Sequence, residues 1–225
     1  MKKRPSAKRP ASAAPTIFTV GHSNHSIADF LALLKSHRIK RLVDVRTIPK
    51  SRHNPQFHRD ALAASLRRAQ LAYTPLPKLG GLRHARADSV NTGWNNSSFR
   101  GFADYMQTPE FSAALARLER LARTKQCAIL CAEAVPWRCH RSLIADALAV
   151  RGYAVKHIMT PTRANLHKLT PFARVRSKRI TYPPNKSTRA YARTKAAVRA
   201  ARNSREDGIA PKNEPKSKPS KRSAS

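Results

Sequence analysis

At 225 residues with 40% apolar side chains, the chain has material for one core of ordinary size plus an appendage, and too little for two full domains. Its 45 Lys and Arg against 12 Asp and Glu give a formal charge of +33, a field that draws polyanions such as nucleic acid. No stretch approaches the about 18 apolar residues of a membrane span, and an odd set of 3 cysteines is no secreted disulfide framework, so a soluble protein of the reducing cytoplasm, with no membrane partner, is expected.

The basic charge is uneven. Residues 163–225 carry 18 basic and 3 acidic side chains, and residues 1–15 carry 5 basic and none acidic. Residues 1–15 are Lys, Arg, Pro, Ser and Ala apart from Met1, and are expected to be a disordered basic leader; an Arg-rich, acid-poor start also fits an organelle transit peptide. Residues 174–225 are expected to be a disordered Lys/Arg-rich tail, with an inducible helix near 190–201. Nucleic acid is the expected partner of these tails.

Residues 16–173 carry the predicted elements. Residues 16–20 form a β-rich run; Gly21 turns the chain before Ser26, an N-cap with Asp29 three positions on. Ile27, Phe30, Leu31 and Leu34 then share a helical face. A second strand at 41–45 completes a β-α-β unit, which implies a parallel pair with a right-handed crossover. Asn54 and Pro55 open a second helix along Phe57, Ala61, Leu62 and Leu66, followed by a third strand at 71–74. Residues 75–99 are irregular and too long for a mere connection, which predicts a lid or a binding loop. Thr108, Pro109 and Glu110 start a helix with a stripe of Phe111, Ala114, Leu115, Leu118 and Leu121. A fourth strand at 127–131, a helix from Pro136 to Arg151 and a fifth strand at 154–158 follow. The order predicts a single three-layer α/β domain about a mainly parallel, roughly five-stranded, Rossmann-like sheet.

The unusual residues gather at strand ends: His22 and Ser23 after the first, Asp44 and Arg46 at the second, Cys131 and Glu133 after the fourth. Ligands of open α/β sheets bind outside these carboxyl ends, so one shared crevice is expected. Arg46, Arg52 and Arg141 offer guanidinium forks to a small anion, with His22 and Ser23 beside them and the N-H groups of the Pro136 helix adding to the field. The competing expectation is a structural ion pair of Asp44 with Arg46 or Arg141. Cys139, in the expected first helical turn beside Arg138, His140 and Arg141, has surroundings that favour a thiolate and is one candidate nucleophile; Cys131 is the other. Glu133 and His140 would move protons, and Asp44 would orient a guanidinium or an imidazole. The competing role for at least one thiol is packing, and Cys127 is assigned to the core.

Zinc on Cys131, Cys139 and His140 lacks the short Cys spacing and needs a fourth ligand such as His22, so no metal and no cofactor are assigned. A reversible Cys131 to Cys139 disulfide is a further option. Gly80 and Gly81 match neither nucleotide fingerprint and are assigned to a turn. Trp94, Phe99, Phe102 and Tyr105, near Arg83, Arg86 and Arg100, either stack on bases or cover a core edge.

Several of these segments together resemble family 488 among the domains of unknown function: Thr19 to Ser23, Val43 to Arg46, Pro49 with Ser51 and Arg52, Gln56 and Phe57, Tyr73 with Leu79 to Gly81, and Leu130 to Glu133 with Cys139 to Arg141. The resemblance covers about residues 16–173 and implies a compact α/β domain with these polar residues near one another. It carries no reaction. Two functions are therefore expected: a cysteine-dependent enzyme acting on a phosphate-bearing substrate such as a nucleotide or nucleic acid, or a non-catalytic, largely sequence-independent nucleic-acid-binding protein working through its tails.

Overall fold

The computed structural model describes residues 15–50, 52–184 and Thr194. The expected leader up to residue 14 and the tail from 185 on, with the helix expected near 190–201, lie outside the described residues, Thr194 apart. Strand β1 (Thr16–Gly21) leads through helix α1 (Ile27–Ser36) to β2 (Arg41–Asp44), and α2 (Arg59–Arg68) leads to β3 (Ala72–Pro75). Two helices, α3 (Ser97–Tyr105) and α4 (Pro109–Thr124), precede β4 (Cys127–Cys131), and α5 (Arg141–Ala149) links β4 to β5 (Ala154–Thr160). The chain continues into β6 (Arg163–Leu166) and a small hairpin of β7 (Arg174–Arg176) and β8 (Arg179–Thr181).

The main sheet runs β3-β2-β4-β1-β5-β6, parallel except for the antiparallel β5/β6 pair. Side chains alternate across it, as a two-residue period requires. Phe18, Val20, Leu42, Ala128 and Leu130 face one layer, where Phe30 and Leu34 of α1 and Leu62 and Leu66 of α2 pack. Ile17, Val43, Cys127 and Ile129 face the other, with Phe102 of α3, Leu115 of α4 and Leu143 and Ile144 of α5. The molecule is thus the three-layer α/β domain that the element order predicts, and Cys127 lies in its core as assigned. Among the described residues no helix is long and apolar enough to cross a membrane.

Helix α3 starts at Ser97, within the segment expected to be irregular through residue 99, with Asn96 as its cap, and four further boundaries differ from expectation. Among the described residues the sheet has six strands because β6 pairs at an edge where its residues stay exposed or half-buried, so it lacks the apolar run that marks an interior strand. The segment expected to be tail from residue 174 includes the β7/β8 hairpin, anchored by Ile180 and Tyr182 in the core despite its Arg-rich composition. The helix expected from Asn54 is a 3-10 turn, Pro55–Phe57, separated from α2 by extended His58. The helix expected from Pro136 is likewise broken: a 3-10 turn, Pro136–Arg138, then extended Cys139 (φ −130°, ψ 144°), then α5. The long segment 75–99 is pinned rather than loose. Asp104 of α3 accepts from the Arg86 N-H, Ser89 Oγ and Asn91 Nδ2, and the Gly93 N-H donates to the Tyr182 carbonyl.

Candidate active site

The carboxyl ends of β1, β2 and β4 lie side by side, because β4 is inserted between β1 and β2. They open on a crevice of about 710 Å³, within the size range of small-molecule sites. His22, Ser23, Arg46, Cys131, Glu133, Cys139 and His140 all line it, joined by Lys50 and Arg138, which were not singled out from the sequence as anion ligands. Separate stretches of backbone therefore meet as the strand-end pattern suggests. Segment 75–99 contributes Gly81, Leu82, Asn96, Ser98 and Phe99 to the opposite wall.

Asp44 and Arg46 form a buried side-on pair: Arg46 Nε donates to Oδ1 at 2.9 Å and Nη2 to Oδ2 at 2.7 Å. The Arg46 backbone N-H and the Tyr73 hydroxyl also donate to this carboxylate. Burial alone would lower the Arg46 pKa, but the hydrogen bonds and charge of Asp44 outweigh it and raise it. His22 Nδ1 lies 2.8 Å from the Ser23 carbonyl, which can only accept, so Nδ1 carries the hydrogen and Nε2 accepts from Arg46 Nη1 at 3.2 Å. Three of the five guanidinium N-H groups are thereby used, leaving one on each terminal nitrogen. His22 thus orients Arg46, and its ring is stacked on Phe57 at 4.2 Å.

Arg141, expected among the anion ligands, points inward with only 1% of its surface exposed. Its Nη2 donates to the Glu133 and Ala134 carbonyls, its Nη1 to Thr19 Oγ1, and its Nε to Cys139 Sγ at 3.4 Å. It ties the loop after β4 to β1 and serves the thiol. Arg52 is exposed and not among the crevice-lining residues. The ion pair weighed in the sequence is thus Asp44 with Arg46, while Arg141 pairs with a sulfur.

Cys139 lies just before α5 instead of in its first turn. The Arg141 N-H, first of that helix, reaches Sγ at 3.5 Å, and His140 Nδ1 lies 3.7 Å from it. The hydrogen bond from Cys131 comes first in holding the Cys139 thiol well below the ordinary range, with His140 and Arg141 adding to it against the opposing effect of burial. Cys131 is pushed upward by the same hydrogen bond and by burial. The hydrogen bond between the two thus runs from the Cys131 thiol to the Cys139 sulfur. All three cysteines are free, and Cys127 is raised to about 11 by burial, as an inert core thiol should be.

Donor atoms of Cys131, Cys139 and His140 lie within 4.8 Å of one another, the grouping that a soft metal would use. The fourth ligand weighed for it, His22, has both ring nitrogens engaged, and the Arg141 cation on Cys139 opposes a second cation there. The donor set fits a hydrogen-bonded thiolate better than a closed zinc site.

The paired glycines lie where a 3-10 turn ends, the Gly80 N-H donating to the Pro77 carbonyl. Neither has a positive φ; a Cβ on Gly81 would stand 2.5 Å from His140 Nδ1, and one on Gly80 2.1 Å from Thr47 Oγ1. Gly81 thus lets the opposite wall close on the His140 ring. The aromatic cluster covers a core edge: Trp94 packs on Phe99, Phe172 and Tyr182, and Arg83 lies 3.6 Å over the Tyr105 ring. Arg100 donates to the Trp94 carbonyl and Arg86 to Asp88, so both are engaged within the protein. Tyr73, Thr19 and His157 carry site contacts that periodicity could not reveal, since they join residues more than twenty positions apart.

Burial holds His22 and His157 neutral, each lowered from the usual 6.5 to about 4. Between those values the unfolded chain binds more protons, so the stability these rings contribute is complete above pH 6.5 and is lost as pH falls toward 4. The melting temperature is expected to be several degrees lower at about pH 4.5 than at about pH 7; a flat profile would remove the neutral-histidine assignment.

A family model described as Domain of unknown function DUF488 matches residues 26–148. Neither the curated proteins nor the solved structures contain a match to the chain.

Proposed function

The chain belongs to the DUF488 family, whose description assigns no reaction, and from that premise we propose that it is a cytoplasmic, thiol-dependent enzyme acting on a phosphate-bearing substrate of the nucleotide or nucleic-acid class. One observation carries the reading: in the wall of a crevice lined by Arg46, Lys50 and Arg138, the Cys139 sulfur receives a backbone and a side-chain N-H from Arg141. Such surroundings favour a thiolate over a thiol, and a thiolate is the nucleophile.

In the proposed step, Lys50, Arg138 and the two remaining Arg46 N-H groups hold the phosphate oxygens. The Cys139 thiolate attacks phosphorus. The S-P bond forms as the P-O bond to the leaving group breaks, and the leaving oxygen takes that electron pair and a proton from His140 or Glu133. Water then gives its oxygen to phosphorus and its proton back to that group, and the S-P bond breaks to restore the thiolate. Asp44 and His22 act at one remove, by fixing the Arg46 plane.

The test is site-resolved alkylation with iodoacetamide, read by peptide mapping across pH. Cys139 is expected to react with a midpoint below about pH 7, and inorganic phosphate is expected to protect it. A midpoint near the free-thiol value of about 8.5, without protection, overturns the reading. A second reading, electrostatic binding of nucleic acid, is favoured by the 18 basic against 3 acidic side chains of residues 163–225. Binding to duplex DNA that weakens steeply with salt, and loses that dependence on deletion of residues 185–225, would support it.

A further inference from the structure

A run of buried hydrogen bonds leaves the back of the crevice and is used by none of the steps above. It begins at Arg141, whose Nε holds the Cys139 sulfur and whose Nη1 lies 3.3 Å from Thr19 Oγ1. Thr19 Oγ1 is 2.8 Å from His157 Nδ1, its neighbour across the β1/β5 pairing; His157 Nε2 is 2.9 Å from His167 Nδ1, and His167 Nε2 is 2.8 Å from Asp146 Oδ1. Thr19 and Asp146 are fully buried and His157 nearly so.

The two ends decide which way the run points. Asp146 Oδ1 also receives the backbone N-H of Thr170, which can only donate, so this oxygen is an acceptor and His167 Nε2 carries a hydrogen. His157 is held neutral by burial; with His167 Nδ1 as the acceptor from His157 Nε2, His157 Nδ1 accepts from the Thr19 hydroxyl. The Thr19 oxygen is left with its lone pairs toward Arg141, which always donates. Every donor therefore faces an acceptor, from the guanidinium to the carboxylate. Thr170 Oγ1 and the Tyr182 hydroxyl, at 2.7 and 2.8 Å from Asp146 Oδ2, hold that carboxylate in place.

We propose that Thr19, His157, His167 and Asp146 are positioning residues for Cys139: they keep the Thr19 oxygen turned to accept from Arg141, and so keep the guanidinium aimed at the sulfur. The run crosses from β1 to β5 and on to the wall of a second cavity of about 380 Å³, which His157 and His167 line with Trp94, Trp137 and Phe172. The thiol in one hollow is thereby linked to imidazoles that line another. None of the four residues is hydrogen-bonded to the sulfur.

The inference rests on the reading of Cys139 as a thiolate, and the same alkylation measurement separates the two. Thr19→Val keeps the branched shape within the sheet but removes the hydroxyl; Thr19→Ser keeps the hydroxyl. In the full chain, Thr19→Val is expected to raise the midpoint for iodoacetamide labelling of Cys139 by about one unit, slowing labelling by about tenfold at pH values below the parent's midpoint, while Thr19→Ser keeps the midpoint of the parent. Should Thr19→Val fail to fold, His167→Phe carries the same direction of change from a position that touches neither Arg141 nor Cys139. An ordinary midpoint in the parent protein overturns both the thiolate reading and this inference. A low midpoint in the parent, retained when either variant folds, overturns the positioning role alone.

Discussion

Cys139→Ser is expected to lower turnover of p-nitrophenyl phosphate by about a thousandfold or more while leaving the melting temperature within a few degrees of the parent. A serine hydroxyl fits the space of the thiol and can accept from the same Arg141 N-H groups. It will not ionise near neutral pH, so the donors that stabilise a thiolate would face a neutral oxygen. Cys131→Ser should behave differently. A hydroxyl at 131 can still donate to Cys139, so labelling of Cys139 at low pH is expected to persist and turnover to fall by no more than about tenfold, on the order of one hydrogen bond. If the two serine variants were equally impaired, or Cys139→Ser kept turnover within about tenfold, the assignment of the nucleophile would fail.

Gly21→Ala is expected to be the most destabilising single-methyl change in the site. A Cβ there would stand 1.9 Å from the Glu133 carbonyl oxygen and 2.9 Å from the Ala134 Cα, both backbone atoms that cannot rotate away. That carbonyl is also bonded to the buried Arg141 guanidinium, and the loop is stitched to β1 by His22 N to the Cys131 carbonyl and Ser23 N to the Ala132 carbonyl. Relief requires moving the loop, which separates Cys131 from Cys139 and lets Arg141 shift. A loss of about 3 kcal/mol or more is expected, or about 10 °C in melting temperature for a chain of this size. Reactive Cys139 at acid pH should disappear with it. An alanine variant with unchanged melting and labelling would mean that the loop does not cross β1 as closely as described.

Much of the layer architecture was legible along the chain, because burial in regular elements leaves a periodic trace. The β-rich run at residues 16–20, the helical stripe of Phe111, Leu115 and Leu118, and the caps at Ser26 and Thr108 are local quantities. The strand-end residues that line the crevice were legible for a related reason: in a parallel sheet all carboxyl ends point one way, so polar residues just beyond them converge. The edge strand β6 and the β7/β8 hairpin left almost no such trace. Their anchoring depends on a few distant contacts, such as the Tyr182 hydroxyl on Asp146.

The amino-acid sequence by itself determined β1 to β5, α1, α2, α4 and α5 in their order, and the strand-end residues that meet at the crevice, since these follow from spacing and from the chemistry each side chain carries. Only the tertiary structure decided what those side chains do: that Asp44 engages Arg46, that Arg141 turns inward to a sulfur, that Gly81 makes room for His140, and that Thr19 is backed by two histidines and a carboxylate. The physical reason is that periodicity reports only which side chains are buried. Hydrogen-bond direction and desolvation depend instead on how each group is turned and what folds against it, whether the partner is 2 positions away, as in Asp44 with Arg46, or 138, as in Thr19 with His157.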